Sequence, residues 1–379
     1  MEFTDTITSC YLTMGEVIAM SFYIRPKHTM TGSLTFFLCV FSLGCTSNEI
    51  QHHSLAAKEP LTAKEQEQEK IHTQTIINIL QKQMTADYKT PPMHRGAHAK
   101  QHGCTKGIFT VEPNLPAHLK MGVFNQKQHY SAYVRYSNSS DKQTSDTEKA
   151  VRGMAIKLLD VGNTLPFLNQ AQTEQDFILI SHPVLPIGTL EKFAKIVEKN
   201  ANSHVLWFFL NPFDSHLREL NLARKASKHH ENPLDIAYWS TTPYAFGDRV
   251  VKYIVRPTSN NLKQAPNQKS ENKLRETMKK QLEQQAATFD FFVQLQTQPE
   301  KMPIEDASIE WSEIESVPIK VATLHLPPQT FDTAEMNSFC EQLSFNPWHA
   351  HVQHEPLGGI NRARKQIYEA SFQLRNGKK

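Results

Sequence analysis

The sequence predicts an α+β domain with a β-rich centre and helices late in the chain. Three observations predict it. Short β-type runs punctuated by turn residues fill the stretch from about residue 91 to Leu190. Helix-period segments dominate after it. No internal repeat and no long low-complexity tract interrupts either part.

The elements follow in chain order. Residues 1–45 read as a targeting segment. Arg25, Lys27 and His28 precede an apolar run, Leu34 to Gly44, that ends at Cys45. At about 11 residues the run is too short to span a bilayer as a helix but fits a signal-peptide core. Ser42-Leu-Gly-Cys45 resembles a bacterial lipobox, with Ser42 where leucine is usual. The residues before Met20 or Met30 look superfluous, so either methionine fits as the start. The expectation is a lipoprotein signal, acylation of Cys45 and a place in the bacterial cell envelope. The protein is then periplasmic, lipid-anchored or secreted, and touches membrane only through its anchor. An ordinary cleaved signal or a buried N-terminal strand is the alternative.

Residues 46–90 read as a polar tether followed by a helix. The stretch to about Lys70 is rich in Lys, Glu and Gln, and Ile71, Ile76, Ile77, Ile79 and Leu80 then mark one apolar helix face. Pro91-Pro92 closes it, and the main domain is expected over 91–379. Strands are predicted at Gly107–Val111, Tyr130–Tyr136, Ala155–Leu159 and Asp176–Ile180, with a turn at Ser137-Asn-Ser-Ser-Asp141. This is the pattern of an antiparallel sheet or barrel. Helices follow at Thr189–Asn200 and Phe213–Ser227, a strand pair at Tyr244–Arg256, and a loop at Ser259–Gln268. Lys273–Gln285 is helical, Phe289–Gln296 and Ile319–Leu326 are strands, and Ala334–Ser344 and Asn361–Arg375 are closing helices.

Composition bounds the function. The 379 residues suffice for one large domain or two ordinary ones. Hydrophobic residues at 39% and charged residues at 21% favour a packed core over disorder. A net charge of +3, from 41 basic and 38 acidic residues, gives no argument for a nucleic-acid partner, and none is expected. Of five cysteines, Cys10 and Cys39 would leave with the signal. Cys104 and Cys340 could pair in an oxidising compartment, but nothing in the sequence brings them together, and two unpaired core thiols is the preferred reading.

Three stretches carry chemistry. In Arg95-Gly-Ala-His98-Ala-Lys100-Gln-His-Gly103 a histidine stands three residues from an arginine, among small residues that leave the ring accessible. Such a histidine can take a proton and return it elsewhere, and the arginine can hold an anionic group. In the last helix Arg364 and Tyr368 are four apart, and Arg375 is seven beyond the tyrosine, so all three lie on or near one face. A free tyrosine has a pKa of about 10. A neighbouring positive charge favours its phenolate, which would suit a ferric haem. A surface Tyr–Arg stack explains the spacing equally simply. Val134-Arg135-Tyr136-Ser137-Asn138 ends a β run, where Ser137 is either a turn residue or a partner that fixes a histidine tautomer.

Taken in order, Arg95-x-x-His98-Ala-Lys100, Arg135-x-Ser137, Arg152-Gly-Met-Ala-x-Lys157, Arg364-x-x-x-Tyr368 and Arg375 resemble the haem catalase superfamily, and more closely its short catalase-related branch. Thr241-Thr-Pro-Tyr-Ala-Phe-Gly247, Phe345-Asn-Pro-Trp-His349 and Pro356-Leu-Gly-Gly-Ile-Asn-Arg362 are similar to that branch too. The resemblance runs from about Pro91 to Arg375. It implies an antiparallel β-barrel with surrounding helices, haem b against the barrel, and a C-terminal helix on the proximal side of the iron. It implies His98 as distal acid and base, Ser137 as its partner, and Tyr368 as the iron ligand supported by Arg364. Arg95, Arg135 and Arg375 would bind or flank the propionates, since guanidinium forks suit carboxylates.

The activity it implies is that of a peroxidase or catalase decomposing hydrogen peroxide or organic hydroperoxides, with an organic electron donor where peroxidase chemistry prevails. One departure bears on this. Haem catalases carry a distal asparagine shortly before the strand that here begins at Asp176, where this chain has Gln172-Thr-Glu-Gln175, and Asn169 stands too early. A shorter chain than the larger catalases also predicts a wider channel, open to bulkier hydroperoxides. Two other classes compete: a zinc site of His94, His98, His102 and Cys104, and a non-enzymatic haem carrier or sensor that keeps Tyr368.

Overall fold

The computed structural model describes residues 61–90, 93–167, 172–202 and 204–377. The predicted signal, the lipobox, the tether before Leu61, Pro91-Pro92 and Asn169 lie outside the described residues. In chain order the elements are α1 (Ala63–Asp87), β1 (Gln101–Val111), α2 (Val123–Gln126), β2 (His129–Asn138), β3 (Arg152–Leu159) and β4 (Glu174–Ile180). Then come α3 (Leu190–Ala201), α4 (Val205–Leu210), α5 (Leu217–Ala226), β5 (Tyr238–Trp239), β6 (Tyr244–Phe246) and β7 (Arg249–Pro257). The last are α6 (Lys273–Leu282), β8 (Ala287–Leu295), β9 (Ile319–Leu326), α7 (Ala334–Gln342) and α8 (Gly359–Arg375).

The strands close into an antiparallel barrel. β1 to β4 pair in sequence, and β1 also pairs with β9, which continues through β8 to β7. The short β5 bridges the remaining gap, pairing with β4 at Ile180 and Trp239 and with β7 at Tyr238 and Val255. Closure leaves no long unpaired edge to aggregate. β6 adds a hairpin to β7, where Gly247 at φ 65° lets the chain reverse in two residues.

Period-two alternation decides what lies inside. Val134, Tyr136, Met154, Ile156, Phe177 and Leu179 belong to the barrel core. Phe109, Phe177, Tyr253 and Phe291 pack there with ring centroids 4.8 to 6.1 Å apart. The interior is filled by side chains. The intervening residues, Arg135, Ser137, Gly153, Ala155, Ile178 and Ile180, must therefore face outward. Helices cover that outward side. Ile76 of α1, Leu190 and Ala194 of α3, and Ile360 and Ala363 of α8 form one apolar cluster. α1 starts at a capping box between Thr62 and Glu65. Although the sequence groups α1 with the tether, its contacts are those of the body.

The strands and long helices expected from periodicity are present, most within a few residues of their predicted ends, although β1 begins at Gln101, six residues before the expected Gly107. Three elements were not predicted. α2 and β5 are too short to show a period. α4 is six apolar residues in a row, Val205-Leu-Trp-Phe-Phe-Leu210, with no polar face to mark it as a helix. The preferred reading of Cys104 and Cys340 as unpaired thiols is corrected. They form a disulfide across a sequence separation of 236 residues, joining β1 to α7. No local pattern could signal a pairing so distant.

The Phe345-Asn-Pro-Trp-His349 motif is a clamp on the barrel. The fully buried Asp176 of β4 receives the Asn346 backbone N–H at 2.9 Å, the Lys157 ammonium at 2.8 Å and His349 Nδ1 at 2.9 Å. Removing one partner of a buried ion pair strands the other charge. Asp176→Ala should cost about 3–5 kcal/mol by that mechanism, read as a lower urea midpoint. Replacing Lys157 and Asp176 together by Met and Leu should recover most of the loss. Equal losses in the single and double variants would refute it.

Candidate active site

His98 sits in the turn leading into β1 with its backbone at φ 56°. Left-handed backbone costs a non-glycine residue about 1–2 kcal/mol, so this conformation is imposed by its surroundings. Those surroundings are visible. The His98 N–H reaches Ser139 O at 3.4 Å, and the His98 carbonyl accepts from Arg135 Nη2 at 2.9 Å. The ring Nδ1 lies 3.0 Å from Ser137 Oγ. Gly153, which pairs with Ser137 across β2 and β3, lies against the same ring. A Cβ there would stand 2.5 Å from His98 Nδ1 and 2.8 Å from Ser137 Oγ, so only glycine fits. Burial, and then the charges of Arg135, Arg364 and Arg95, push the His98 pKa down to about 3. The ring is neutral at physiological pH.

A second group gathers at the end of α7. Arg95 Nη2 donates to the carbonyls of Cys340 and Leu343 at 3.1 and 2.9 Å. Arg135 Nη2 reaches Glu341 Oε1 at 3.4 Å, and Arg375 Nη1 donates to the Glu341 carbonyl at 2.6 Å. Arg95 Nη1 lies 2.9 Å from Glu341 Oε2. Burial alone would raise the Glu341 carboxyl, but a bond from His94 and the three guanidinium charges hold it far below its ordinary range. Three cations thus surround one anion. Burial and the charge of Arg95 push Arg135 and Arg375 down to about 9, so both remain charged at neutral pH. The buried Nε groups of Arg135 and Arg375 make no hydrogen bond to protein. Donors stranded in this way are suited to a carboxylate-bearing group.

The third group is on α8. Arg364 Nη1 donates to Thr242 Oγ1 at 3.1 Å and to Asn361 Oδ1 at 3.2 Å, and its Cζ lies 6.0 Å from the centre of the Tyr368 ring. Asn361 Nδ2 in turn donates to Pro243 O at 3.0 Å. The Thr241–Gly247 and Pro356–Arg362 motifs thus meet and fix the start of α8 against the β6 hairpin.

One cavity of about 650 Å³ joins the three groups. It is lined by His98, Ser137, Arg95, Arg135, Arg364, Tyr368 and Arg375, together with Gly153 and apolar residues such as Ile178, Phe193 and Ile367. The volume falls in the usual range for a cofactor or small-molecule site. All seven residues singled out in the sequence therefore face one space. Three charged residues of the same motifs do not line it. Lys100 pairs with Asp146 at 2.9 Å, Arg152 donates to Asn138 Oδ1 at 2.6 Å, and Lys157 holds Asp176. Glu341 and the contact role of Gly153 were missed: a glutamate on an ordinary polar helix and a glycine in a strand give no such signal.

Gln172–Gln175, the stretch leading into β4 where catalases carry an asparagine, does not line the cavity here. Gln175 is buried away from the cavity and accepts from the His351 N–H at 2.9 Å. The strand reaches the cavity at its other end, with Ile178, Leu179 and Ile180. The zinc reading also fails, because the Cys104 sulfur is committed to the disulfide.

No family model and no curated protein matches the sequence. Solved structures do match. A fungal catalase superposes with a TM-score of 0.60 at 16% identity, covering 78% of this chain and 62% of its own. Catalase A from Saccharomyces cerevisiae gives 0.59 at 15%, with 77% and 63% covered. A bacterial catalase gives 0.57 at 15%, with 77% and 59% covered. The chain therefore has a catalase-like fold, and its matched part spans about three-fifths of each of these proteins.

Two outcomes follow from this geometry. Gly153→Ala should displace the His98 ring and cost about 1–3 kcal/mol of stability by overpacking, seen in urea unfolding. A wild-type midpoint would contradict the contact. The second concerns pH. His98, His102, His230 and His354 are all held below the ordinary 6.5, chiefly by burial. Below pH 6.5 the unfolded chain binds protons that the folded chain refuses, so stability is full above that value and falls as pH drops. The urea midpoint should be lower at pH 5 than at pH 7.5, before the Glu341 contribution begins to be lost.

Proposed function

We propose that this chain is a haem-dependent oxidoreductase of peroxidase or catalase type, acting on hydrogen peroxide or organic hydroperoxides. The observation that carries the reading is the single cavity that combines a neutral, oriented histidine, a tyrosine beside an arginine, and unsatisfied guanidinium donors. Haem b fits this set. Tyr368 would offer its oxygen to iron, with the Arg364 charge beside it. Arg95, Arg135 and Arg375 would meet the propionates, and the apolar lining would cover the macrocycle. Bound there, haem would supply the iron that exchanges electrons with peroxide.

The chain's own part is proton handling and positioning. With Nδ1 protonated and donating to Ser137 Oγ, His98 keeps Nε2 free as a base. It can take the proton from one peroxide oxygen and return it to the other, which leaves as water or alcohol. Gly153 keeps the ring at Ser137. Because β4 lines the cavity with the apolar Ile178 and Ile180, the cavity favours bulkier hydroperoxides, with an organic donor completing the cycle. A passive haem carrier would also use Tyr368 and the arginines. It would leave the strained, hydrogen-bonded His98 without a task. The Cys104–Cys340 disulfide supports an oxidising compartment, as an envelope location would provide.

Purified protein should show a tyrosinate-type haem absorption band. His98→Ala should lower peroxide turnover by about 100- to 10,000-fold while leaving haem bound. Tyr368→Phe should weaken haem binding and change the spectrum; an unchanged spectrum would sink the assignment. The kcat/KM for an alkyl hydroperoxide should exceed that for hydrogen peroxide, and a strong preference for hydrogen peroxide would overturn the substrate reading.

A further inference from the structure

The segment from Leu206 to Leu220 carries six of the twelve large apolar side chains exposed among the described residues. α4 buries Phe208 and Phe209 beside Ile187, Phe193 and Ile196, and turns Leu206, Trp207 and Leu210 outward. Phe213 follows at 95% exposure, and Leu217 and Leu220, three apart on α5, extend the surface. Concentrations of this kind mark an interaction site.

We infer that this α4–α5 face docks on an anionic phospholipid bilayer. Its make-up favours lipid over a protein partner. Interfacial elements combine Trp, Phe and Leu with a basic flank. Between Lys199 and Lys228 there are five cationic residues, Lys199, Arg218, Arg224, Lys225 and Lys228, and two acidic ones, Asp214 and Glu219; Arg218 donates to Ser308 Oγ and to its carbonyl, both at 2.9 Å, which leaves four cations for the rim. Glu219 is buried on Lys192 at 2.7 Å, which leaves Asp214 as the exposed acid of the segment. The surface facing outward is therefore apolar at its centre and positive at its rim. The chain outside the described residues argues the same way. Cys45, the candidate acylation site, precedes Leu61 by 16 residues, a tether reaching on the order of 50 Å when extended. Lipid anchors hold stably when a second membrane contact assists them, and the α4–α5 face supplies one.

The face also adjoins the cavity. Val205 lines it, and its neighbours Leu206 and Trp207 are exposed. On the peroxidatic reading, acyl hydroperoxides of the bilayer are then the substrates presented to the cavity. Docking itself does not depend on that reading.

The test uses the full chain carrying Cys45→Ser, so that acylation cannot hold it. Its vesicles are phosphatidylglycerol and phosphatidylcholine with brominated acyl chains. Trp311 is buried and Trp239 and Trp348 are half-buried, so Trp207 is the exposed indole. Bromine should quench a part of the fluorescence that is missing in Trp207→Phe. Phe213→Ser and Leu217→Ser should each weaken binding by about tenfold without lowering the thermal midpoint, since both side chains are exposed. Arg224→Glu with Lys225→Glu should weaken it as well. An unquenched Trp207, unchanged binding of Phe213→Ser, or self-association through these residues in sedimentation without vesicles would each overturn the proposal. None of these readouts involves turnover, so docking and the peroxidatic reading fail separately.

Discussion

The cavity depends on one constraint, the alternation of side chains along β2, β3 and β4. Because the barrel interior is packed with aromatic rings, no ligand can enter it. Every second residue must then point at the helical layer. Those positions hold Arg135, Ser137, Gly153, Ala155, Ile178 and Ile180, a polar corner grading into an apolar wall. A one-residue slip in β2 would send a serine and an arginine into the core and a tyrosine into the cavity, and one in β3 would turn a methionine onto the cavity in place of Gly153. The tight packing inside is thus what fixes the chemistry outside.

The second organising feature is charge imbalance. Arg95, Arg135 and Arg375 surround Glu341, with buried donors left over. Such an arrangement is costly in an empty pocket and is relieved by an anion. Glu341 offsets part of the repulsion, and its backbone and that of Cys340 anchor two of the arginines. After burial, Arg135 and Arg95 of this set, together with Arg364, depress the basicity of His98, so the anion-holding and proton-handling parts of the cavity are electrostatically coupled.

Much of this was legible in the sequence. The strands and long helices announce themselves by periodicity, and the seven cavity residues by the resemblance that their motifs, taken in order, carry. What was hidden has physical reasons. The Cys104–Cys340 bond and the Glu341 cluster arise only when elements more than 200 residues apart are brought together. α4 has no polar face to give it a period. That Gln172–Gln175 lies at the end of β4 away from the cavity was hidden too, because sequence does not tell which end of a strand borders the site. Lys100, Arg152 and Lys157 belong to motifs that look chemical but hold turns and strands together.

The chain positions of the cavity residues have a consequence for biogenesis. Its walls come from α1, from His98 before β1, from β2 to β4, from α3, and then from α8 more than 150 residues later. A nascent chain that has emerged only as far as β9 can pair every strand of the barrel, yet it has no Arg364, Tyr368 or Arg375. The pocket therefore exists only after the last helix has been synthesised and has folded back over the earliest strands. A prosthetic group held by these three residues can be bound only once α8 has been made, onto a barrel that is already closed.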